Sequence, residues 1–276
     1  MKTRRWNKNT QFYTAVGLAG ILVTVALLGP WLAPHSAFET DFLHTMEAPG
    51  RDYPLGTDQV GRCILSRLLY GARISLGMTF GMLAAIFVLG LIIGTIAGMR
   101  GGWADTCIMR LADTILAFPD LIFAIAVVGL LGPGIINTIC ALAIIWWTKF
   151  ARLARVLVRT TVQSDAFIAG RMAGAGPFKL VQSYILPAIF PPMLTQLSLD
   201  IGNMMLALAG LSFLGLGVQP PQPSWGRMLA EAQSLMFDAP LLAVWPGLAI
   251  ALTVLGLNLL GDGLRDALDP RCQTRP

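Results

Sequence analysis

Long apolar segments alternate with short polar connections along this sequence. Six segments have the roughly 20 mostly apolar residues that an α-helix needs to cross about 30 Å of hydrocarbon. They are Phe12–Ala33, Ile74–Gly98, Cys107–Leu131, Ile135–Val156, Ala188–Gly217 and Leu241–Leu260. They are of helix length, unlike the ~10-residue alternating strands of a membrane barrel. The pattern predicts an all-α integral membrane protein with six transmembrane helices.

Residues 34–73 form a long connection before the second span. Ile64, Leu65, Leu68 and Leu69 share one helical face, which predicts an amphipathic helix at the membrane interface. Asp58 is placed to cap that helix by accepting from its free N–H groups. The remaining five spans form a core at 74–260.

A second polar connection, at residues 157–187, separates the fourth and fifth spans. Its segment Asp165–Pro187 carries charges and glycines that would be unsatisfied in lipid, so it must project into water. Asp165 lies near the start of a short helix, which Gly174 and Gly176 then break. This segment also carries apolar side chains suited to contact with a partner protein, namely Phe167, Ile168, Met172 and Phe178.

Composition and charge fix the class and the orientation. The chain is 55% hydrophobic and 13% charged, against roughly 25% charged residues in soluble proteins. Fifteen Lys and Arg lie in the tails at 1–11 and 261–276, in the second and fourth connections, or within the neighbouring spans, as Arg110, Lys149, Arg152 and Arg155 do; the opposite side holds five. The positive-inside rule predicts that both termini are cytoplasmic. No basic patch is interleaved with aromatics, so no nucleic-acid partner is expected.

No catalytic signature is found. The sequence lacks G-x-x-x-x-G-K-[ST], G-x-S-x-G and H-E-x-x-H. We therefore expect no catalytic residue, no cofactor and no firm metal ligand in this chain. Glycine pairs such as Gly94 and Gly98 indicate close helix packing instead.

Acidic residues within the spans are candidates for a transport path, because lipid-facing carboxylates are costly. Asp200, with Asn203, Met204 and Met205, lies mid-span in the fifth helix, where these groups would line a path for a cation or chelate. The alternative is that the methionines pack and Asp200 bonds a neighbouring helix. Asp113 is expected to pair with Arg110, three residues before it.

Five stretches resemble the second permease subunit of the dipeptide/oligopeptide/nickel branch of ABC importers. They are Leu55-Gly-Thr-Asp58 with Gly61-Arg62, Tyr70-Gly-Ala-Arg73-Ile-Ser-Leu76, Ser212–Val218, Pro220–Gly226 and Asn258–Pro270. They extend from the first outer loop to the C-tail and so cover nearly the whole chain. The resemblance implies a type I ABC importer permease fold in a bacterial inner (plasma) membrane.

In such permeases the cytoplasmic loop after the fourth span resembles E-A-A-x3-G-x9-I-x-L-P. Gly174 and Leu186-Pro187 match it, whereas Ile168 replaces Glu, Gly170 replaces Ala and Tyr184 replaces Ile. The resemblance implies a coupling helix that inserts into a groove of an ATPase subunit. Its residues are Phe167, Ile168, Ala169, Gly170, Arg171, Met172, Gly174 and Phe178.

The resemblance also implies the partners. These are a second permease subunit, two ATPase subunits that bind ATP and Mg, and an extracytoplasmic solute-binding protein. Arg62, Arg67, Gln219 and Trp225 are expected to face the binding protein.

The substrate is left open among nickel, a metal chelate and a peptide. The loop without its Glu, and Leu199–Met205, favour the nickel-type subunits. An ATP-independent secondary transporter is a rival reading, although no inverted repeat is visible. A membrane enzyme is the third hypothesis for the function.

Overall fold

The computed structural model describes residues 8–268, and within them the protein is all-helical, with one isolated β-bridge between Thr57 and Cys63. Residues 1–7 and 269–276, with most of the predicted N-tail and half of the C-tail, lie outside the described residues. The helices are α1 (Lys8–Leu32), α2 (Ile64–Arg100), α3 (Gly102–Leu116), α4 (Asp120–Leu131), α5 (Ile135–Val162), α6 (Asp165–Met172), α7 (Pro177–Leu180), α8 (Leu186–Phe213), α9 (Trp225–Ala232) and α10 (Leu241–Leu268). Short 3₁₀ turns lie at Phe42–His44 and Gln233–Leu235, and a π-helical segment, Val181–Ile185, joins α7 to α8.

Three helices of the described chain are long and apolar enough to cross a membrane, and the bent pair α3–α4 would make a fourth span. The three are Ile64–Arg100, Pro177–Phe213 and Leu241–Gly263. The predicted third span, Cys107–Leu131, is not one helix. It bends by 94° between Leu116 and Asp120, where Pro119, which lacks a backbone N–H, precedes the new helix.

The predicted interfacial helix is not separate either. Ile64 to Arg100 is one continuous helix of 37 residues. It passes through Gly71 and Gly77 without a break. Asp58 does not cap this helix. Cys63 is the N-cap residue and makes no side-chain cap, while the Asp58 carboxylate accepts from the backbone and side chain of Arg62.

The centre of the molecule is the contact between α2 and α5. Gly90, Gly94 and Gly98 lie one helical turn apart on α2 and face the backbone of α5. A Cβ on Gly98 would approach the Val158 side chain to 2.7 Å. The predicted close packing at Gly94 and Gly98 is therefore confirmed.

The bundle has two distinct ends. The loop end consists of residues 33–63 and 214–240, and the α6 end, opposite to it, carries α6. Gly29 of α1 contacts Leu69, and the backbone N–H of Gly134 donates to Leu216 O at 3.1 Å. Accordingly α1 ends at the loop end, whereas α2, α5 and α10 begin there.

Candidate functional site

The segment at the α6 end has the helix–break–helix form expected from the sequence. Ser164 caps α6 by accepting from the backbone N–H of Phe167 at 3.4 Å. The helix ends at Met172, and Gly174 has φ of +82°, a left-handed conformation that favours glycine. The next helix begins with Pro177. The predicted break at Gly174 and Gly176 is therefore confirmed.

The residues of α6 divide between two faces. Phe167 and Gly170 are buried against the protein, and the Phe167 ring meets the Tyr184 ring edge-on at 6.3 Å. Ala169, Arg171 and Gly174 are exposed. Three apolar side chains are exposed as well: Ile168 at 44%, Met172 at 85% and Phe178 at 80%. The apolar surface offered to a partner thus lacks Phe167, which packs within the chain.

Two departures from the family's loop pattern touch each other. A Cβ built on Gly170 would lie 2.6 Å from Cζ of Tyr184, too close for any real contact. Alanine at 170 would therefore require the Tyr184 ring to shift. The large residue at 184 and the small one at 170 are complementary, which is why the segment keeps its shape despite both changes.

The carboxylate of Asp200, in the middle of α8, bonds a neighbouring helix, as the alternative hypothesis expected. Asp200 Oδ1 accepts from Lys149 Nζ of α5 at 2.7 Å, and Oδ2 accepts from Gln196 Nε2 at 2.7 Å. Asn203 is exposed, whereas Met204 and Met205 are 0% and 2% exposed. The two methionines pack in the core of this chain and do not line an open surface.

Charged residues at the loop end form a largely buried ion cluster, which we define as Asp58, Arg62, Arg67, Arg227 and Glu231. Glu231 Oε2 lies 2.8 Å from Arg67 and 3.1 Å from Arg62. Asp58 Oδ2 lies 2.7 Å from Arg62 Nε, and Arg227 bonds Glu231 at 3.2 Å. This cluster ties the segment before α2 to α9.

Three of the four residues predicted to face a binding protein are buried within the chain. Arg62 and Arg67 are 8% and 1% exposed, because carboxylates of the same chain hold both guanidiniums inward. Trp225 is 3% exposed and donates from Nε1 to Leu68 O at 2.9 Å. It lies against Gly71, where a Cβ would meet its ring at 3.0 Å. Of the four residues, Gln219 alone is partly accessible.

A second set of ion pairs joins α3 to α5 near the α6 end. Asp105 bonds both Arg155 and Arg159, and Asp113 bonds Arg152. The predicted Asp113–Arg110 pair is therefore wrong. In the folded chain α5 presents Arg152 to Asp113, and α3 is drawn to α5 by charges on both helices.

One titratable pair lies in the loop segment outside the spans. His44 Nδ1 is 2.8 Å from Asp41 Oδ2, and both side chains are partly exposed. This hydrogen bond raises the pKa of His44 and lowers the pKa of Asp41, with a further lowering from the backbone N–H of Leu43. Burial raises the pKa of nearby Tyr53.

Three functional candidates escaped sequence reasoning: Lys149, Asp105 and Glu231. Lys149 is the only charged residue in the segment Ile144–Phe150. A single charge in such a segment is the signal by which the sequence alone would have identified it. Glu231 and Asp105 have partners 164 and 50 residues away, a distance at which sequence gives no pairing. Among residues 8–268 no group of three His, Cys, Asp or Glu side chains forms a metal site.

The comparisons with known proteins agree with this architecture. Residues 90–274 match the family described as "Binding-protein-dependent transport system inner membrane component". The di/tripeptide transport system permease protein DppC of Pseudomonas aeruginosa is 44% identical over 257 residues, covering 91% of this chain and 85% of that protein. The nickel transport system permease protein NikC of Escherichia coli is 40% identical, covering 94% of each.

A third relative has another stated cargo. The glutathione transport system permease protein GsiD of Pectobacterium atrosepticum is 41% identical, covering 98% of this chain and 91% of that protein. Among solved structures, the MetNI methionine ABC transporter in inward-facing conformations aligns with a TM-score of 0.58 at 19% identity. That match covers 73% of this chain and 96% of the other. It supports the fold alone.

Proposed function

Since this chain belongs to the family of binding-protein-dependent transport system inner membrane components, as a permease subunit of an ABC importer, we propose that it forms a translocation path together with a second permease subunit. The observation that carries the proposal is the family match combined with a short capped helix that exposes the apolar side chains of Ile168 and Met172. Two ATPase subunits would bind ATP and Mg and drive the cycle. A solute-binding protein would deliver the cargo from outside a bacterial inner membrane.

We place six spans in this topology, with both termini on the cytoplasmic side. The support is the distribution of Lys and Arg: with the mid-helix Lys149 set aside, 14 lie on one side against five on the other. The α6 end is then cytoplasmic, and the loop end faces the binding protein. α1, α5 and the bent pair α3–α4 supply the spans beyond the three long apolar helices.

The proposed coupling helix is α6. Exposed apolar groups on a segment that faces water mark a protein contact, and Ile168, Met172 and Phe178 are three such groups. Arg171, exposed in the last turn, adds a charge that suits an acidic groove. Closure of the ATPases on ATP would move α6 as a lever, and α5 and α8, which flank it, would carry the motion to the path.

Ile168 replaces the usual Glu of this helix. An apolar side chain at 168 supports docking through packing instead of through an ion pair. The proposed interface therefore depends on Met172 and Phe178 more than on charge.

For the path itself we propose the side of α8 that carries the buried Asp200 and the exposed Asn203. The buried Met204 and Met205 are not included. The cargo is nickel or a metal chelate in one version and a short peptide in the other. The loop without Glu supports the first version, whereas relatives named for di/tripeptide and glutathione transport, at 44% and 41% identity, support the second.

Co-expression with the ATPase and second permease subunits tests the coupling assignment. Met172→Glu would bury an unpaired carboxylate in the interface, so ATPase recovered with the purified chain should fall about tenfold or more. Gln182→Glu is the matched control, because it adds the same charge at an exposed position outside α6. Equal ATPase recovery from both variants would refute the role of α6.

The rival, an ATP-independent secondary transporter, gives a different result. No ATPase subunit would then be recovered with the wild-type chain. Uptake into vesicles would follow an ion gradient without ATP.

A further inference from the structure

A half-exposed ammonium lies on the surface of α5 near the middle of the bundle. The Lys149 side chain is 51% exposed, whereas the Asp200 carboxylate that it contacts is 6% exposed. An ammonium has three donors. One bonds Asp200 at 2.7 Å, and the other two have no protein partner among the side chains that the structure describes.

This ammonium is far from both ends of its helix. Lys149 is 14 residues past the start of α5 at Ile135, a rise of about 21 Å. Asp200 is 14 residues past Leu186, close to the centre of α8. A lysine near a membrane surface would extend its ammonium toward the headgroups. Here the bond to Asp200 holds the ammonium at mid-depth.

A half-exposed ammonium at this depth cannot face hydrocarbon, because a charge there is strongly unfavourable unless it meets water or a polar partner. The adjoining face of α8 is polar as well. Gln196, Asp200 and Asn203 have i, i+4, i+7 spacing and so lie on one stripe of the helix. The stripe and the ammonium make one continuous hydrophilic surface.

We propose that Lys149 is a binding site for a carboxylate group of the transported solute, on the water-filled path lined by Gln196, Asp200 and Asn203. The substrate class is a carboxylate-bearing zwitterion or anion, such as a short peptide or an anionic metal chelate. A bare divalent cation is disfavoured. This inference rests on the proposed function and narrows its cargo.

The charge balance of the surface supports this class. Asp200 is almost fully buried, and its two oxygens are already engaged by Lys149 and Gln196. The open side of the pair therefore presents N–H donors and no free carboxylate. Apart from the engaged carboxylate, a metal cation would meet only the amide oxygens of Gln196 and Asn203 beside the Lys149 ammonium, whereas a carboxylate would find two donors and a favourable charge.

The first test asks whether the surface is wet. In the assembled complex, with Cys63, Cys107, Cys140 and Cys272 replaced by Ala, a cysteine at Asn203→Cys is exposed to a membrane-impermeant thiosulfonate. Ile144→Cys is the matched control, since Ile144 is 42% exposed on the opposite side of α5. Modification at 203 should be at least about tenfold faster than at 144, because a thiol in lipid does not ionise. Equal rates overturn the inference.

The second test measures the charge preference without a transport substrate. Rates of Asn203→Cys modification are compared for an anionic and a cationic thiosulfonate of equal size. Lys149→Gln should lower the anion-to-cation rate ratio about threefold or more, and Lys149→Arg should keep it. An unchanged ratio in Lys149→Gln overturns the carboxylate site.

Failure of the inference is separable from failure of the proposed function. Binding-protein-stimulated ATP hydrolysis, measured on the same preparations, reports whether the complex is an ABC importer. If hydrolysis is intact and 203 is unreactive, the carboxylate site is wrong and the importer assignment stands. If no ATPase associates, the proposed function fails whatever the labelling shows.

Discussion

At the loop end most members of the ion cluster are buried, whereas at the α6 end the arginines of the ion pairs reach water. Glu231, Asp58 and Arg67 have side chains between 2% and 16% exposed. At the other end Arg152 and Arg159 are both 44% exposed. Breaking a buried pair strands a charge without solvent, while exposed partners exchange readily with water. We infer that the loop end is built to stay together as one unit, and the α6 end to rearrange.

Glu231→Gln should reduce the free energy of unfolding more than any other substitution considered for the two ends. The variant removes the carboxylate that Arg62 and Arg67 share, and it leaves two guanidiniums buried beside Asp58 alone. We expect a loss of about 3–5 kcal/mol in the free energy of unfolding, measured by denaturant titration in lipid nanodiscs. Glu39→Gln, an exposed change at the same end, should have no effect. A loss below about 1 kcal/mol for Glu231→Gln would contradict the buried-cluster account.

At the α6 end, Asp105→Asn should have a smaller effect. Asp105 is nearly buried and bonds two arginines, but Arg155 and Arg159 reach water once released. The expected loss is about 1.5–3 kcal/mol. Asp113→Asn, in the more exposed pair with Arg152, should cost at most about 1 kcal/mol. Equal losses in the free energy of unfolding for the two variants would show that burial does not determine how much each ion pair stabilises the protein.

A substitution that overpacks the α6 end should reduce the free energy of unfolding by a similar amount, although no ion pair is broken. Gly170→Ala forces the Tyr184 ring aside, and overpacking of this kind costs about 1–3 kcal/mol. Adding Tyr184→Ile should recover most of the loss. Gly176→Ala is the control, because a Cβ there meets open space and its φ is −67°. If Tyr184→Ile did not restore the stability lost in Gly170→Ala, the contact between these two residues would not be the cause of the loss.

The smallest effect is expected at His44, in the solvated part of the loop end. The bond to Asp41 raises the pKa of His44 above 6.5 and lowers that of Asp41 below 3.8. The pair's stabilisation is therefore lost on the alkaline side as the pH rises through the raised His44 pKa. It is lost on the acid side as the pH falls through the lowered Asp41 pKa.

Histidine-labelled NMR measures this directly, because the chain has only two histidines. In Asp41→Asn the His44 pKa should fall toward its ordinary value. A His44 titration that is identical in the two proteins would show that the pair does not form in solution.

Sequence reasoning predicted much of the fold because the apolar runs and the Gly174 break are local signals. It missed the bend between Leu116 and Asp120, since the residues on both sides are apolar and only Pro119 marks the change. It also split off Ile64–Leu69 as a separate helix, because a helix that leaves the membrane has the same periodicity as one lying on it.

The site was harder to predict because its residues are paired across the fold. Sequence reasoning assigned Arg62, Arg67 and Trp225 to the surface that faces the binding protein, whereas the fold buries them. Their partners Glu231 and Leu68 lie on other elements, and burial by such partners is invisible in a linear pattern. Two of the motifs that carry the family resemblance meet where Gly71 receives Trp225, so they record packing as well as function.

The central claim is that this chain serves as the path of an ATP-driven importer. Its most direct measurement is uptake into proteoliposomes that contain the chain, its second permease and its ATPase subunits, with binding protein loaded outside. The account predicts accumulation of solute only when ATP and loaded binding protein are both present, and none with a hydrolysis-deficient ATPase. Accumulation driven by an ion gradient in the absence of ATP would contradict it.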